Sequence, residues 1–167
     1  ALPILIAFVI PRTFRKASIV NRLNNKFHKI YDDTVPSDSF IFNGQAYDVP
    51  CCAQIWVKRD QPRVKIKTYK LSQIKNYFEI VEASKSDFAI QRVGGRAGLI
   101  RVGADRVNYS DQSHYFIKQH DPRVLSVFQT INFDTVKFNT VGNPSIAPGE
   151  LVELFITAAK NTGITVS

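Results

Sequence analysis

The stretch that most constrains this chain is its first. Ile4, Leu5, Ile6, Ala7, Phe8, Val9 and Ile10 form an apolar run closed by Pro11. The run does not alternate with polar residues. An unbroken apolar run of this length, rich in Ile and stopped by proline, predicts a strand buried on both faces. Such strands sit inside parallel α/β sheets, with neighbours on both sides and helices above and below. A strand of this kind at residue 4 is odd, because its sheet should have begun earlier. A signal-peptide core is the rival reading, and the flanks exclude it: no basic segment precedes the run and no small-residue cleavage site follows. The run is also far too short to span a membrane.

At 167 residues there is room for one compact domain or two small ones. The formal net charge of +8 favours anionic partners. The charge is uneven. Residues 1–80 hold thirteen Lys/Arg against six Asp/Glu, and residues 81–167 hold nine against eight. The densest part is KRDQPRVKIKTYKLSQIK, Lys58 to Lys75, with seven basic residues and one acidic. After Pro62, residues Arg63, Lys65 and Lys67 fall on one side of a period-2 pattern. They read either as a solvated connector or as a surface that tracks phosphates. Cys51 and Cys52 are the only cysteines. An adjacent pair supplies neither a disulfide framework nor a zinc site. In a strand the two point to opposite faces, as small buried residues, and a reducing cytoplasm is the natural compartment. The chain has no methionine. With Ala1 first, that fits removal of an initiator Met or a cut from a longer chain.

Pattern places the elements. Residues 4–10 are a strand, and 14–24 carry helical spacing with Thr13 as a possible N-cap. Residues 27–32 form a second strand, 33–48 a loop with an Asn-Gly pair, and 49–58 a third strand. Residues 71–82 are expected to form a short helix. FAIQRV (88–93), a Gly-rich turn GGRAG (94–98) and LIRV (99–102) follow, then a strand at 114–119. A helix over 122–131 begins on Pro122. The final helix, 148–160, has Pro148 and Glu150 in its first turn and Lys160 in its last.

Two segments carry a resemblance: IAFVIPRTFRK (6–16), and FIFNGQAYDVPCCAQIWVKR (40–59). Strand, helix, strand, loop and strand, with these sequences, resemble the ending of a class I S-adenosylmethionine-dependent methyltransferase. The similarity is to the bacterial and phage DNA adenine-N6 enzymes, and it covers about a third of the chain. It implies that 4–10 is the fifth strand of a Rossmann-like sheet, with the sixth and seventh pairing around it and the seventh antiparallel. The fold class expected is α/β: the last three strands of a methyltransferase sheet, followed by a small α+β domain. The domains expected are 1–60, a basic connector 61–84, and a target-recognition domain 85–167.

The family's Gly-rich cofactor loop and its Asn-Pro-Pro-aromatic catalytic motif are not found. GGRAG opens no helix and reads as a hairpin turn. GNPSI (142–146) has Ser145 and Ile146 where Pro and an aromatic belong, and reads as a turn. The resemblance therefore implies no catalytic residue and no cofactor site in this chain. S-adenosylmethionine would serve the full-length enzyme, and an upstream part of the methyltransferase domain would be a partner.

In these enzymes an aromatic in the loop before the seventh strand stacks on the extruded base. Phe42 is the better match here and Phe40 the second. Arg12, Arg15 and Lys16 follow the fifth strand's carboxyl end, where ligands of open α/β sheets gather. Arg12, Arg63, Lys65 and Lys67 are the nucleic-acid candidates of the first half. Arg92, Arg96 and Arg101, around the Gly-rich turn, suit phosphates or a guanine edge. His28, His114 and His120 have no ligand spacing and read as structural or exposed, and no metal site is expected. DNA is the expected partner, a membrane is not, and an open edge at 4–10 would favour self-association. The alternative is a non-catalytic basic module that binds nucleic acid or a partner protein.

Overall fold

A computed structural model describes residues 4–164. The outer ends of the expected first and last domains, 1–3 and 165–167, lie outside the described residues. The chain is α+β and divides into two compact units. Unit 1 takes residues up to 67 together with 139–142, and unit 2 takes 68–138 and the chain from 143 onward.

Unit 1 is built in order from β1 (Leu5–Pro11), α1 (Ala17–Val20), β2 (Phe27–Thr34), β3 (Phe40–Phe42), β4 (Gln45–Tyr47) and β5 (Cys51–Lys58). The three long strands form one sheet of order β1-β5-β2. β1 pairs antiparallel with β5 from Leu5↔Val57 to Pro11↔Cys51. β2 pairs antiparallel with β5 from Phe27↔Lys58 to Thr34↔Cys52, with a register shift between Lys29 and Tyr31. β1 and β2 therefore run parallel to each other, separated by β5. The middle strand is the most buried, with Cys52, Gln54 and Trp56 inside on one face and Cys51 on the other. Both cysteines are free and buried, as small core residues.

β1 corrects the expectation of a strand buried on both faces. It is an edge strand, and Leu5 and Val9 are 58% and 61% exposed. Register puts Leu5, Ala7 and Val9 on the face of Val57, Ile55 and Ala53. Unit 1 places α1 and the 63–66 segment on the opposite face, where the Arg63 guanidinium lies 5.9 Å from the Trp56 ring centroid. An apolar run reports what a strand could bury, not what is present to cover it.

The helix expected over 14–24 is also cut short. Residues 12–15 form a 3-10 turn, Lys16 is extended at ψ 133°, and only Ala17–Val20 is α-helical. Thr13 sits inside the 3-10 turn and caps nothing. The 33–48 loop contains the β3–β4 hairpin, in register Phe40↔Tyr47, Ile41↔Ala46 and Phe42↔Gln45. Asn43 and Gly44 turn it with φ of 50° and 76°, the left-handed pair that a tight hairpin requires and that Asn-Gly tolerates.

The boundary at 67/68 falls inside the stretch expected to be a connector. The segment before it is fastened down. The Arg63 amide donates to Asn25 O at 2.8 Å. The Asn21 side chain donates to Ile66 O at 2.8 Å and accepts from Ile66 N at 3.0 Å. The segment after it belongs to unit 2.

Unit 2 contains β6 (Phe78–Ile80), β7 (Phe88–Gln91), β8 (Ile100–Val102), β9 (His114–Gln119), α2 (Val124–Gln129), α3 (Asp134–Lys137) and α4 (Pro148–Asn161). Its sheet, order β6-β9-β7-β8, is antiparallel throughout. One face carries Phe88, Ile90 and Ile117 into a core shared with Val127 and Phe128 of α2 and Leu151 and Phe155 of α4. The final helix starts as its sequence indicates, with Glu150 Oε2 accepting the Ala147 amide at 2.7 Å. The helix expected over 71–82 is not formed. A 3-10 turn, Leu71–Gln73, leads into β6 instead. Phe78 packs edge-on against Phe128 and Phe155, at 5.2 and 5.0 Å between centroids, and Ile80 pairs with Ile117. These partners lie far along the chain, and tertiary burial overrides local propensity here. Residues 92–99 join β7 to the antiparallel β8, so GGRAG is a hairpin connection. In GNPSI, Ser145 bridges Val93 and Pro144 O accepts the Gly94 amide at 2.8 Å, which makes it a structural turn.

Candidate functional site

The carboxyl ends of β1 and β2 meet the start of β5. The Arg12 amide donates to Pro50 O at 3.0 Å, and the Val35 amide donates to Cys51 O at 3.1 Å. The β3–β4 hairpin leaves the sheet between these two clamps as an arm. A two-stranded hairpin has no second layer to hide its side chains. Ile41 is 79% exposed and Phe42 64% exposed, and Tyr47 is exposed as well. The rings of Phe42 and Tyr47 lie 5.9 Å apart at 48°. Phe40, opposite Tyr47, is half-buried. Of the two sequence candidates, Phe42 is therefore the one that presents its ring. Tyr47 and Ile41 were missed. Their signal was the same alternation around Asn-Gly that marks the hairpin.

Apolar side chains held this far into water mark a contact surface more often than a folding feature. The arm is rooted on a polar network. Asp32 accepts from Arg15 Nε at 2.8 Å, from Gln54 Nε2 at 3.0 Å and from Lys29 Nζ. Trp56 Nε1 donates to Gln54 Oε1 at 3.1 Å, and Arg15 Nη1 donates to Thr34 Oγ1 at 3.0 Å. Burial pushes the Asp32 carboxyl up, but the hydrogen bonds and charges of Lys29 and Arg15 outweigh it and hold it below its ordinary value. Arg12 is half-buried, with Nε donating to Cys51 O at 3.4 Å. Arg12 and Arg15 thus stand at the arm's root. The Arg15 guanidinium is engaged with Asp32 and Thr34, whereas Arg12 is held only through Nε among the described residues.

Of the basic stretch, Lys65 and Lys67 are exposed. Arg63 is not a surface cation. Its guanidinium turns inward and donates to Phe27 O at 3.1 Å, Val20 O at 2.5 Å and Leu23 O at 3.3 Å. These carbonyls lie where α1 ends and the chain turns into β2, so Arg63 caps that corner. The period-2 pattern put Arg63 with Lys65 and Lys67, and the carbonyls that converge at the corner drew it away.

In unit 2 the three arginines separate. Arg96 is exposed beside a cleft of about 480 Å³, lined also by Leu99, Ile131, Phe133 and Lys137. Arg92 lies 5.1 Å over the Tyr115 ring, with Nε buried and unbonded among the described residues. Arg101 joins a cluster on the sheet face away from the core. Its guanidinium lies 4.2 Å over Tyr109, Nε donates to His114 Nε2 at 3.2 Å, and Nη2 donates to Gln91 Oε1 at 3.2 Å. His114 is buried and stacked on Tyr109 at 4.7 Å, a structural histidine as its isolation in sequence implied.

The Gly-rich connection does not form a phosphate- or cofactor-type cradle at the amides whose partners are seen. In the Gly-rich connection the amides of Gly94, Ala97, Gly98 and Leu99 donate to Pro144, Gly94, Gln91 and Arg96 carbonyls. These four amides are spent on backbone carbonyls, that of Pro144 lying outside the turn, and β8 rather than a helix follows. Among the described residues no group of three His, Cys, Asp or Glu could hold a metal ion. No described helix is long and apolar enough to cross a membrane. Compared with family models, with curated proteins and with solved structures, the chain matches none.

Proposed function

We propose that this chain is the C-terminal part of a class I S-adenosylmethionine-dependent DNA adenine-N6 methyltransferase, contributing the arm that meets the extruded base and a surface that holds DNA. The observation that carries this reading is the sheet of unit 1. Its order β1-β5-β2 has an antiparallel strand between two strands parallel to each other, which supports the antiparallel seventh strand that the resemblance implies. The expected sixth strand, β2, pairs with β5 and not with β1, so the two do not flank the fifth as expected. The arm rises from the carboxyl ends of the parallel pair, where open α/β sheets gather ligands.

Each part then has a task. Phe42, with Tyr47 beside it, offers a ring on which a base could lie, and stacking of this kind is worth about 1–3 kcal/mol per base. The clamps at Arg12 and Val35 and the network around Asp32 fix the arm's root. Unit 1 holds eleven Lys/Arg against five Asp/Glu, so the arm sits on the more basic half of the molecule. The cofactor pocket and the catalytic motif would come from further strands, which would join at the edge of β1, paired with no other strand among the described residues, and at its apolar face. Methyl transfer is what the cofactor would supply there.

The second reading, a non-catalytic basic module, draws on the same arm and charge, which suffice to bind nucleic acid without a cofactor. The coding sequence immediately upstream separates the two: a Gly-rich loop and an Asn-Pro-Pro-aromatic motif favour the methyltransferase. Binding itself is tested by titrating the chain on duplex DNA at several salt concentrations. Affinity should fall steeply with salt, and Lys65→Ala should flatten the slope by about one unit while weakening all sequences alike. No binding at low salt would overturn the nucleic-acid role.

A further inference from the structure

The Arg101 cluster is not explained by packing alone. A guanidinium has a side fork, Nε with Nη2, and an end fork, Nη1 with the outer hydrogen of Nη2. The side fork of Arg101 is filled by His114 Nε2 and Gln91 Oε1, both at 3.2 Å. Tyr109 covers one face of the plane. The proton arrangement behind this grip is consistent. Ser113 Oγ donates to Ser110 O at 3.1 Å, so it accepts from His114 Nδ1, 2.9 Å away, and Nε2 is left as an acceptor for Arg101. Burial lowers the imidazole's affinity for a second proton, with the Arg101 charge adding to it, and this keeps that acceptor in place. Both neighbours are neutral. No carboxylate pairs with Arg101 among the described residues, and Nη1 has no partner among them.

A charged side chain locked by a ring and two neutral acceptors, with its end fork left open, is arranged for a ligand with two adjacent acceptors. Resting on the nucleic-acid reading above, we propose that Arg101 reads a guanine, its end fork donating to O6 and N7 on the major-groove edge. A backbone phosphate would also satisfy the fork, but the setting favours the base. Unit 2 holds eleven Lys/Arg against nine Asp/Glu, too even a balance for phosphate tracking. A phosphate contact carries no sequence information, whereas base readout requires a donor pair of fixed orientation. Arg101 is half-buried on β8, the edge strand of its sheet.

The test uses the full chain and a randomised duplex pool. The selected sites should share a guanine. Replacing it by 7-deazaguanine, which lacks the N7 acceptor, should weaken wild-type binding about tenfold. Arg101→Met removes the charge and the fork at similar length, so it should bind both duplexes alike, with a circular-dichroism melt that stays cooperative and shifts only by the lost contacts to His114 and Gln91. The deazaguanine comparison on wild-type protein needs no variant to fold. An Arg101→Met protein that still discriminates would overturn the proposal, as would equal weakening of that variant on all sequences with a salt slope lower by about one, which marks a phosphate contact. Salt-dependent binding without any selected site would overturn it while leaving the DNA reading intact. No binding at all would remove both.

Discussion

Arg63→Ala separates a structural arginine from a DNA-binding one. The substitution removes hydrogen bonds from a cation to three backbone carbonyls, Val20, Leu23 and Phe27. A hydrogen bond to a charged group contributes about 1.5–3 kcal/mol, and a carbonyl left buried without a partner costs about 1–3. Two effects reduce the sum. Water can reach part of this half-buried corner, and Nη1, buried without a partner, is itself a cost that the substitution relieves. The contact with Trp56 adds about 0.5–1 kcal/mol. A net loss of about 3 kcal/mol follows, which for a unit of this size lowers Tm by about 12–24 °C. Trp56 is the only tryptophan, is 2% exposed and lies under Arg63, so its fluorescence reports unit 1 alone. The expected result is an early, cooperative Trp56 transition in Arg63→Ala and an unchanged one in Lys65→Ala. A Trp56 transition that does not move, together with a flatter salt dependence on DNA, would refute the reasoning and return Arg63 to the surface.

Asp32→Asn should change the acid limb of the same transition. The Asp32 carboxyl is held below its ordinary value, so the stability it contributes is present above about pH 4 and is lost as pH falls through its folded value. The variant should be less stable at neutral pH and less sensitive to acid, and a wild-type acid limb in the variant would contradict the network. Gly98→Ala should destabilise unit 2 by about 2–4 kcal/mol in urea denaturation followed by circular dichroism. Its φ is +97°, and an added Cβ would stand 2.5 Å from Phe133 Cβ. A change under about 0.5 kcal/mol, the scale of a neutral surface substitution, would show that the turn relaxes freely.

What could be read from the sequence was whatever a few neighbouring residues decide. Pro148 and Glu150 begin a helix by their own chemistry, and Asn43-Gly44 closes a hairpin by the φ values it tolerates. Cys51–Lys58 reads as a strand because most of its side chains want burial. What could not be read depends on distant partners. β6 exists because Ile117, Phe128 and Phe155 receive its side chains. β1 is exposed because its outer face lacks cover in unit 1, and no residue of the run carries that information. Arg63 and Lys65 look alike in sequence and part company only because three carbonyls converge near one of them. The Arg101 cluster is assembled from Gln91, Arg101, Tyr109 and His114, whose spacing carries no motif. Phe42 was singled out through resemblance alone, and its exposure, which its proposed role requires, could not be read from the sequence.

The central claim is that the arm presents Phe42 to an extruded base, and stacking can be measured directly. A duplex carrying one unpaired 2-aminopurine spares the chain the few kcal/mol of extrusion. Fluorescence titration of that duplex at fixed salt should show quenching on binding by the wild-type chain. Phe42→Ala should lose the quenching while keeping the salt slope, because stacking is not ionic. The fold should be unaffected, since the ring is 64% exposed. Equal quenching by wild type and Phe42→Ala, at equal occupancy of the DNA, would contradict the account.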